Sequence, residues 1–145
     1  MALLELKNLK TFFATKRGTV KAVNGVSYSL DAGKVLGVVG ESGSGKSVSA
    51  MSILRLLDGN GYIDSGEILF NGVDLTKLSM NEMYKIRGNE ISVIFQEPMT
   101  SLNPVFTVSR QISEPLMIHQ GMNKKQAAAK AVELLSDVKI PNPEV

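Results

Sequence analysis

Residues 35–47 read Val-Leu-Gly-Val-Val-Gly-Glu-Ser-Gly-Ser-Gly-Lys-Ser, and this stretch decides the fold. Its last eight residues, 40–47, match the pattern G-x-x-x-x-G-K-[ST] at every specified position. The apolar run 35–39 before the match is typical of a strand that is covered on both faces. The segment 46–57 after it has apolar residues at helical spacing. A Gly/Ser linker would lack this context, so the sequence predicts a phosphate-binding loop between a strand and a helix.

The residue types of the loop suit the binding of a phosphate. Glycines at 40, 43 and 45 let the backbone curve around an anion with its N–H groups pointing inward. The helix that follows adds a favourable field at its N-terminus. Lys46 brings a flexible positive charge to β- and γ-phosphates, and the Ser47 hydroxyl is suited to ligate Mg²⁺. The candidate nucleotide-binding residues of the loop are Gly40, Glu41, Ser42, Gly43, Ser44, Gly45, Lys46 and Ser47.

Composition excludes several other classes of protein. The 145 residues are 43% hydrophobic and 21% charged, as in an ordinary globular domain. The absence of cysteine excludes a disulfide framework and Cys-based metal sites in this sequence. A net charge of +2 is too small to indicate nucleic-acid binding by itself. No apolar run approaches the roughly 20 residues of a membrane span, and no signal peptide is recognisable, so we expect a soluble, cytoplasmic chain.

Shorter patterns predict the elements around the loop. Period-two alternation predicts strands at 3–8, 20–30 and 66–71, and Asn24-Gly25 interrupts the second with a turn signal. A further strand is predicted at 91–95. The predicted helices begin at the Ser79–Glu82 capping box, at Thr107 and at Asn123, and Pro115 should kink or break the second of them.

Hydrolysis requires an acidic residue at the end of another buried strand to help hold Mg²⁺. Asp58 follows an apolar segment, but that segment belongs to the helix after the loop. The strand 91–95 ends in Gln96 instead of an acid. Residues 58–61 fit a GTPase-like D-x-x-G, yet no strand precedes them and no guanine-reading Asn-Lys-x-Asp exists.

Several segments together resemble the N-terminal half of the ATP-binding subunit of an ABC transporter. Residues 26–47 resemble the family's lead-in to its phosphate loop, and 66–75 resemble the hairpin that follows. Residues 94–98, Ile-Phe-Gln-Glu-Pro, resemble its Q-loop. More narrowly, 95–104 (Phe-Gln-Glu-Pro-Met-Thr-Ser-Leu-Asn-Pro) is similar to the F-Q-[DE]-P-x-x-S-L-N-P of the dipeptide/oligopeptide importer branch.

The resemblance implies an α/β fold, an incomplete P-loop NTPase core with an N-terminal antiparallel β subdomain and the start of a helical subdomain. Residues 1–145 would be the N-terminal part of one ABC ATP-binding domain. Its parts would be the β subdomain at 1–34 and 62–75, the phosphate loop and helix at 35–58, the Q-loop strand at 91–96, and the start of the helical subdomain at 97–145.

The same resemblance implies roles for individual residues, with ATP and Mg²⁺ as cofactors. Phe13, or its neighbour Phe12, falls where an aromatic ring stacks on adenine. Gln96 falls where the Q-loop glutamine reaches Mg²⁺ and the attacking water. Lys46 and Gln96 are therefore the catalytic candidates, and Ser47 and Gln96 the metal ligands.

The implied function is to energise peptide import from the cytoplasmic face of the membrane. The partners would be transmembrane permease subunits and a second ATP-binding subunit, with no nucleic acid. The family's L-S-G-G-Q signature, acidic pair and switch histidine do not occur, and His119 is no substitute. We therefore expect a partial chain that binds nucleotide at most and is itself inactive. A nucleotide-binding module without turnover and an ABC ATPase outside transport remain alternatives.

Overall fold

The computed structural model describes residues 2–95 and 101–144. Gln96, the predicted Q-loop residue, lies outside the described residues. Contacts between residues divide the chain into two units, Met1–Tyr84 and Lys85–Val145, and each is described by itself. In the described ranges, no helix is long and apolar enough to cross a membrane.

The first unit is built on a four-stranded antiparallel sheet with the order β2-β1-β3-β4. The strands are β1 (Ala2–Thr15), β2 (Gly18–Asp31), β3 (Gly61–Phe70) and β4 (Val73–Asp74). Helix α1 (Lys46–Ile53) follows β2, and helix α2 (Met80–Ile86) follows β4. The predicted antiparallel β subdomain is thus present, and its strands are longer than the alternation in the sequence indicated.

The core of this unit forms on β1 and its neighbours. Leu6 and Leu9 of β1, Ile68 of β3 and the nearby Leu75 are almost completely buried. Since side chains alternate between the two faces of a strand, β1 also places Thr11 on the buried side, where it meets Ser52 of α1. The sheet and α1 are therefore packed together at the end of β1 that leads to Phe13.

Asn24-Gly25 is not a turn, as the sequence predicted, but a bulge inside β2. The pairing with β1 passes from Leu9 opposite Val26 to Lys10 opposite Asn24, which leaves Gly25 as an extra residue. Gly25 has φ +80°, a left-handed conformation that both turns and bulges require. The dipeptide signalled the backbone conformation correctly, but the chain continues in the same strand.

Helix α1 ends at Ile53, four residues before the end that its apolar spacing predicted. The N–H of Leu56 donates to the Met51 carbonyl and that of Arg55 to the Ser52 carbonyl. This is the Schellman arrangement, with Arg55 at φ +52° in the place that glycine usually takes. Because arginine, unlike glycine, does not indicate a helix end in a sequence, the helix was predicted to extend to residue 57.

Two strand predictions are wrong. Residues 35–39 have no regular secondary structure, and Val35 and Val39 are 97% and 95% exposed. Residues 91–95 form only an isolated bridge between Ile91 and Arg87, and Ile94 is 99% exposed. A strand needs hydrogen-bonded neighbours to be stable, and no described strand lies beside either segment.

In the described part of the second unit lie the helices α3 (Val108–Gln120) and α4 (Lys124–Asp137). The Thr107 side chain caps α3, and Asn123 and Gln126 form a capping box at α4. These starts agree with the sequence prediction, as does the capping box of Ser79 at α2. Pro115 does not break α3, which continues to Gln120.

Candidate functional site: a glycine-rich loop at the start of a helix

The loop 40–47 leads directly into helix α1. Gly45 is the N-cap residue of α1, with φ +89°, and no side chain caps the helix. A Cβ on Gly45 would collide with the carbonyl oxygen of Ala22 in β2. The first turn of α1 therefore lies against the sheet backbone, and only glycine fits at this position.

Lys46 is the first residue of α1, and its side chain turns back across the loop. Its Nζ donates hydrogen bonds to the carbonyl oxygens of Gly40 at 2.6 Å and Glu41 at 2.5 Å. It also lies 3.2 Å from the Ser44 hydroxyl oxygen. The loop is further closed by the Ser44 N–H, which donates to the Glu41 carbonyl at 3.2 Å. The ammonium group of Lys46 is thus held over the loop that leads into its own helix.

A cavity of about 250 Å³ adjoins this loop. One wall comes from the loop and the start of α1, through Gly40, Ser44, Gly45, Lys46 and Ser49. The other wall comes from Val23, Val26 and Tyr28 of β2 and from Val38 and Val39. Sequence reasoning missed this contribution of β2, although the alternation of residues 20–30 was a signal for which side chains share a face.

Phe12 and Phe13 occupy different environments. Phe12 is 8% exposed, its ring makes an edge-on contact with Tyr62 at a centroid distance of 6.3 Å, and Lys21 Nζ lies 5.7 Å from its centroid. Phe13 is only partly buried and lies against Gly61, where a Cβ would be 2.7 Å from the ring. Phe12 therefore has a packing role already, while the ring of Phe13 is accessible.

Phe13 lines a second cavity, of about 140 Å³, together with Ser47 of the loop. Val48 and Met51 of α1 and Asp58 contribute to the same cavity. The structure thus brings the predicted base-stacking residue to the helix that carries Lys46 and Ser47, although it precedes them by 33 and 34 positions in the sequence. Gln96 alone among the predicted site residues lies outside the described residues.

A separate carboxylate, Asp74, organises the turn after β4. It accepts hydrogen bonds from the N–H groups of Ile68 and Thr76 and from the Thr76 hydroxyl, and Lys77 Nζ lies 2.9 Å from its Oδ2. Burial raises the pKa of Asp74, but the hydrogen bonds from Lys77, Thr76 and Ile68 outweigh it and leave that pKa below its usual value. The contact with Asp74 correspondingly raises the pKa of Lys77.

Asp74 belongs to β4, at the opposite edge of the sheet from β2, and it lines neither of the two cavities beside the loop. The shift therefore does not identify a second acidic residue of the site. In the parts of the chain that the structure describes, no group of three or more His, Asp or Glu residues could hold a metal ion.

A loop with the pattern G-x-x-x-x-G-K-[ST] that enters a helix at its lysine is the arrangement typical of P-loop proteins. The profile of the ABC transporter family matches residues 23–145, and the chain belongs to this family. The predicted ABC ATPase fold is confirmed by solved structures. The dimeric cassette MJ0796 matches with a TM-score of 0.75 at 22% identity, over 96% of this chain and 58% of that one.

The same cassette in a post-hydrolysis state, bound to ADP and Pi, matches with a TM-score of 0.77 at 23% identity and the same coverage. Curated relatives are much more similar in sequence. The oligopeptide transport ATP-binding protein OppD of Bacillus subtilis (strain 168) is 52% identical over 98% of this chain and 40% of its own length. The dipeptide transport ATP-binding protein DppD of Escherichia coli (strain K12) is 46% identical over 99% and 44%. The chain thus spans less than half the length of these relatives.

Proposed function

We propose that this chain binds MgATP through the loop 40–47 and belongs to a subunit that energises peptide import. The observation that carries the proposal is Lys46, whose ammonium group is held over a glycine-rich loop at the N-terminus of α1. This arrangement puts one full positive charge and the positive end of a helix at the same place.

The backbone fits a phosphate group because the loop needs glycine where it turns. Gly43 and Gly45 have φ of +79° and +89°, and Gly45 lies against the Ala22 carbonyl. The N–H groups at the start of α1 have no side-chain cap and are suited to donate to phosphate oxygens. Lys46 exchanges carbonyl partners for phosphate oxygens, which are stronger acceptors because they are charged.

The base is assigned to Phe13. Its ring is partly exposed and lines a cavity with Ser47, so stacking and phosphate binding involve neighbouring positions. Phe12 is less suited because Tyr62 and Lys21 already contact its ring. Stacking on one aromatic ring contributes about 1–3 kcal/mol.

Of the three serine hydroxyls in the loop, that of Ser47 is the one proposed to ligate Mg²⁺. Ser47 is exposed at the second position of α1, and a metal that keeps several of its waters needs few protein ligands. The ion, when bound, would neutralise charge on the phosphate oxygens. Gln96 stays a predicted ligand and a predicted partner of the attacking water.

The proposed activity of the whole subunit is supported by the names of its relatives. Two proteins named for oligopeptide and dipeptide transport are 52% and 46% identical to nearly all of this chain. This favours transport over an ABC ATPase of another kind, and it supports ATP hydrolysis coupled to peptide import. The proposed partners are transmembrane permease subunits and a second ATP-binding subunit, at the cytoplasmic face of the membrane.

Calorimetric titration with MgATP tests the binding proposal. Lys46→Ala should abolish detectable binding, because it removes the charge that is held over the loop. Lys34→Ala, at an exposed lysine outside the loop, is the matched control and should bind as the unaltered chain does. Equal affinities of the Lys46 variant and the control would contradict the role of Lys46.

A further inference from the structure

Thr11 and Ser52 form a buried polar contact between the sheet and α1. Their hydroxyl oxygens are 2.8 Å apart, and neither residue has any exposed surface. Buried hydroxyl groups are costly unless they are hydrogen-bonded, so a pair of this kind fixes the two elements more specifically than apolar packing does.

The direction of these hydrogen bonds follows from counting protons. The Ser52 hydroxyl lies 2.6 Å from the carbonyl oxygen of Val48, and it must be the donor because a carbonyl oxygen only accepts. A serine hydroxyl has one proton, so Ser52 has none left for Thr11. Thr11 is therefore the donor to Ser52, and the series runs from Thr11 through Ser52 to the Val48 carbonyl.

The two ends of this series of hydrogen bonds lie near the two parts of the proposed nucleotide site, the Phe13 ring and the start of α1. Thr11 precedes Phe13 by two positions, and both side chains face α1. Thr11 contacts Ser52, and Phe13 lines a cavity with residues of the same helix. Val48 directly follows Ser47, and both line the 140 Å³ cavity with Phe13. A change in the contact between Thr11 and Ser52 would thus move Phe13 relative to the start of α1.

We propose that Thr11 and Ser52 are positioning residues that set the spacing between the Phe13 ring and the phosphate loop, so that one nucleotide engages both. The inference rests on the proposed function, because it concerns a ligand that has both a base and a triphosphate. In this proposal, part of the gain in affinity that Phe13 gives ATP over inorganic triphosphate depends on the contact between Thr11 and Ser52.

The test measures dissociation constants for MgATP and for magnesium triphosphate on the same variants. Thr11→Val keeps the shape of the side chain but removes the donor. It should weaken MgATP about three- to tenfold and leave triphosphate unchanged, since a hydrogen bond of this kind contributes modestly. Thr11→Ser, which keeps the hydroxyl, should restore the ratio of the two affinities. Ser52→Ala removes the acceptor from the helix side and should change the ratio in the same direction.

Introducing Thr11→Val into a chain that already carries Phe13→Ala distinguishes a positioning role of Thr11 from an effect on the stability of the fold. In that background Thr11→Val should cause no further loss of ATP affinity. Equal weakening of both ligands, or an unchanged ratio in both Thr11→Val and Ser52→Ala, would overturn the inference while the proposed function stands. An unaltered chain that binds neither ligand would overturn the proposed function, and this inference with it.

Discussion

The backbone of Gly45 lies against the carbonyl oxygen of Ala22, so closely that any side chain at residue 45 would collide with it. The loop 40–47 is therefore held against β2 by a contact between two backbones. Gly43, two residues earlier, has a similar positive φ of +79° but has open space where a Cβ would go. The two glycines share a conformational requirement and differ in their surroundings, which makes them a matched pair.

Gly45→Ala should destabilise the chain more than Gly43→Ala does. At both positions alanine pays about 1–2 kcal/mol for the left-handed backbone. At residue 45 the collision with Ala22 adds about 1–3 kcal/mol, as overpacking does in cores. Denaturant unfolding of the two variants measures the difference. Equal losses would show that the loop moves away from β2 without penalty.

Phe13→Ala and Phe12→Ala should affect different properties. Phe13→Ala should weaken MgATP by about 1–3 kcal/mol without changing the affinity for inorganic triphosphate, because only the base loses its partner. Phe12→Ala should instead lower the free energy of unfolding by about 3–5 kcal/mol, since its ring is buried against Tyr62. Titration calorimetry and denaturant unfolding distinguish the two, and a reversal of the phenotypes would reassign stacking to Phe12.

Asp74→Asn should destabilise the chain by about 1.5–3 kcal/mol at pH 7, because it removes the charge from several hydrogen bonds. The pKa of Asp74 is below its model-compound value of 3.8 in the folded chain, so its stabilisation is present above that value. It is lost as the pH falls through the folded pKa.

The measurement is the free energy of unfolding of both chains from pH 7 down to pH 2. Their difference should be constant above pH 5 and should shrink below about pH 3.8. Asp31→Asn, at an exposed aspartate, is the control and should have little effect across this range. A difference for Asp74→Asn that persists unchanged at the lowest pH would show that the charge of this carboxylate is not the stabilising feature.

The ends of α1 and α4 provide a second matched pair. Arg55 and Lys139, at φ +52° and +61°, both occupy the left-handed position of a Schellman arrangement. Lys139→Gly should raise the free energy of unfolding by up to about 1 kcal/mol, because glycine adopts this conformation without strain. Arg55→Gly should not, since it removes the hydrogen bond from Arg55 Nη1 to the Leu78 carbonyl. Thermal unfolding compares the two, and stabilisation by Arg55→Gly would contradict this difference.

Local signals in the sequence predicted much of this structure. The capping residues Ser79, Thr107 and Asn123 placed three helix starts correctly, because each hydroxyl or amide satisfies N–H groups of its own helix. The loop 40–47 was also recognised from its own residues. Such features depend on a few neighbouring positions and are readable without the rest of the fold.

Features that depend on distant residues could not be predicted. The run 35–39 has the composition of a buried strand, but strand formation depends on neighbours that no described residue supplies. The contact between Ser52 and Thr11 joins positions 41 apart. The end of α1, where Arg55 takes the left-handed conformation, has no signal in the sequence. In the site, the loop was predictable from local sequence. The alternation in β2 indicated which of its side chains share a face, but not that this face packs beside the loop.

This 145-residue chain should self-associate through the exposed run 35–39. Val35 and Val39 are 97% and 95% exposed, in a segment with strong β-propensity and no partner strand among the described residues. Unpaired backbone beside apolar side chains invites pairing with another copy. Val35→Lys should reduce the apparent mass in light scattering after size exclusion, because a charge opposes this pairing. Val105→Lys adds the same charge at a valine that is 81% exposed in the loop before α3, and it should leave association unchanged. A monomer at all concentrations, or equal effects of the two variants, would show that 35–39 is not the associating segment.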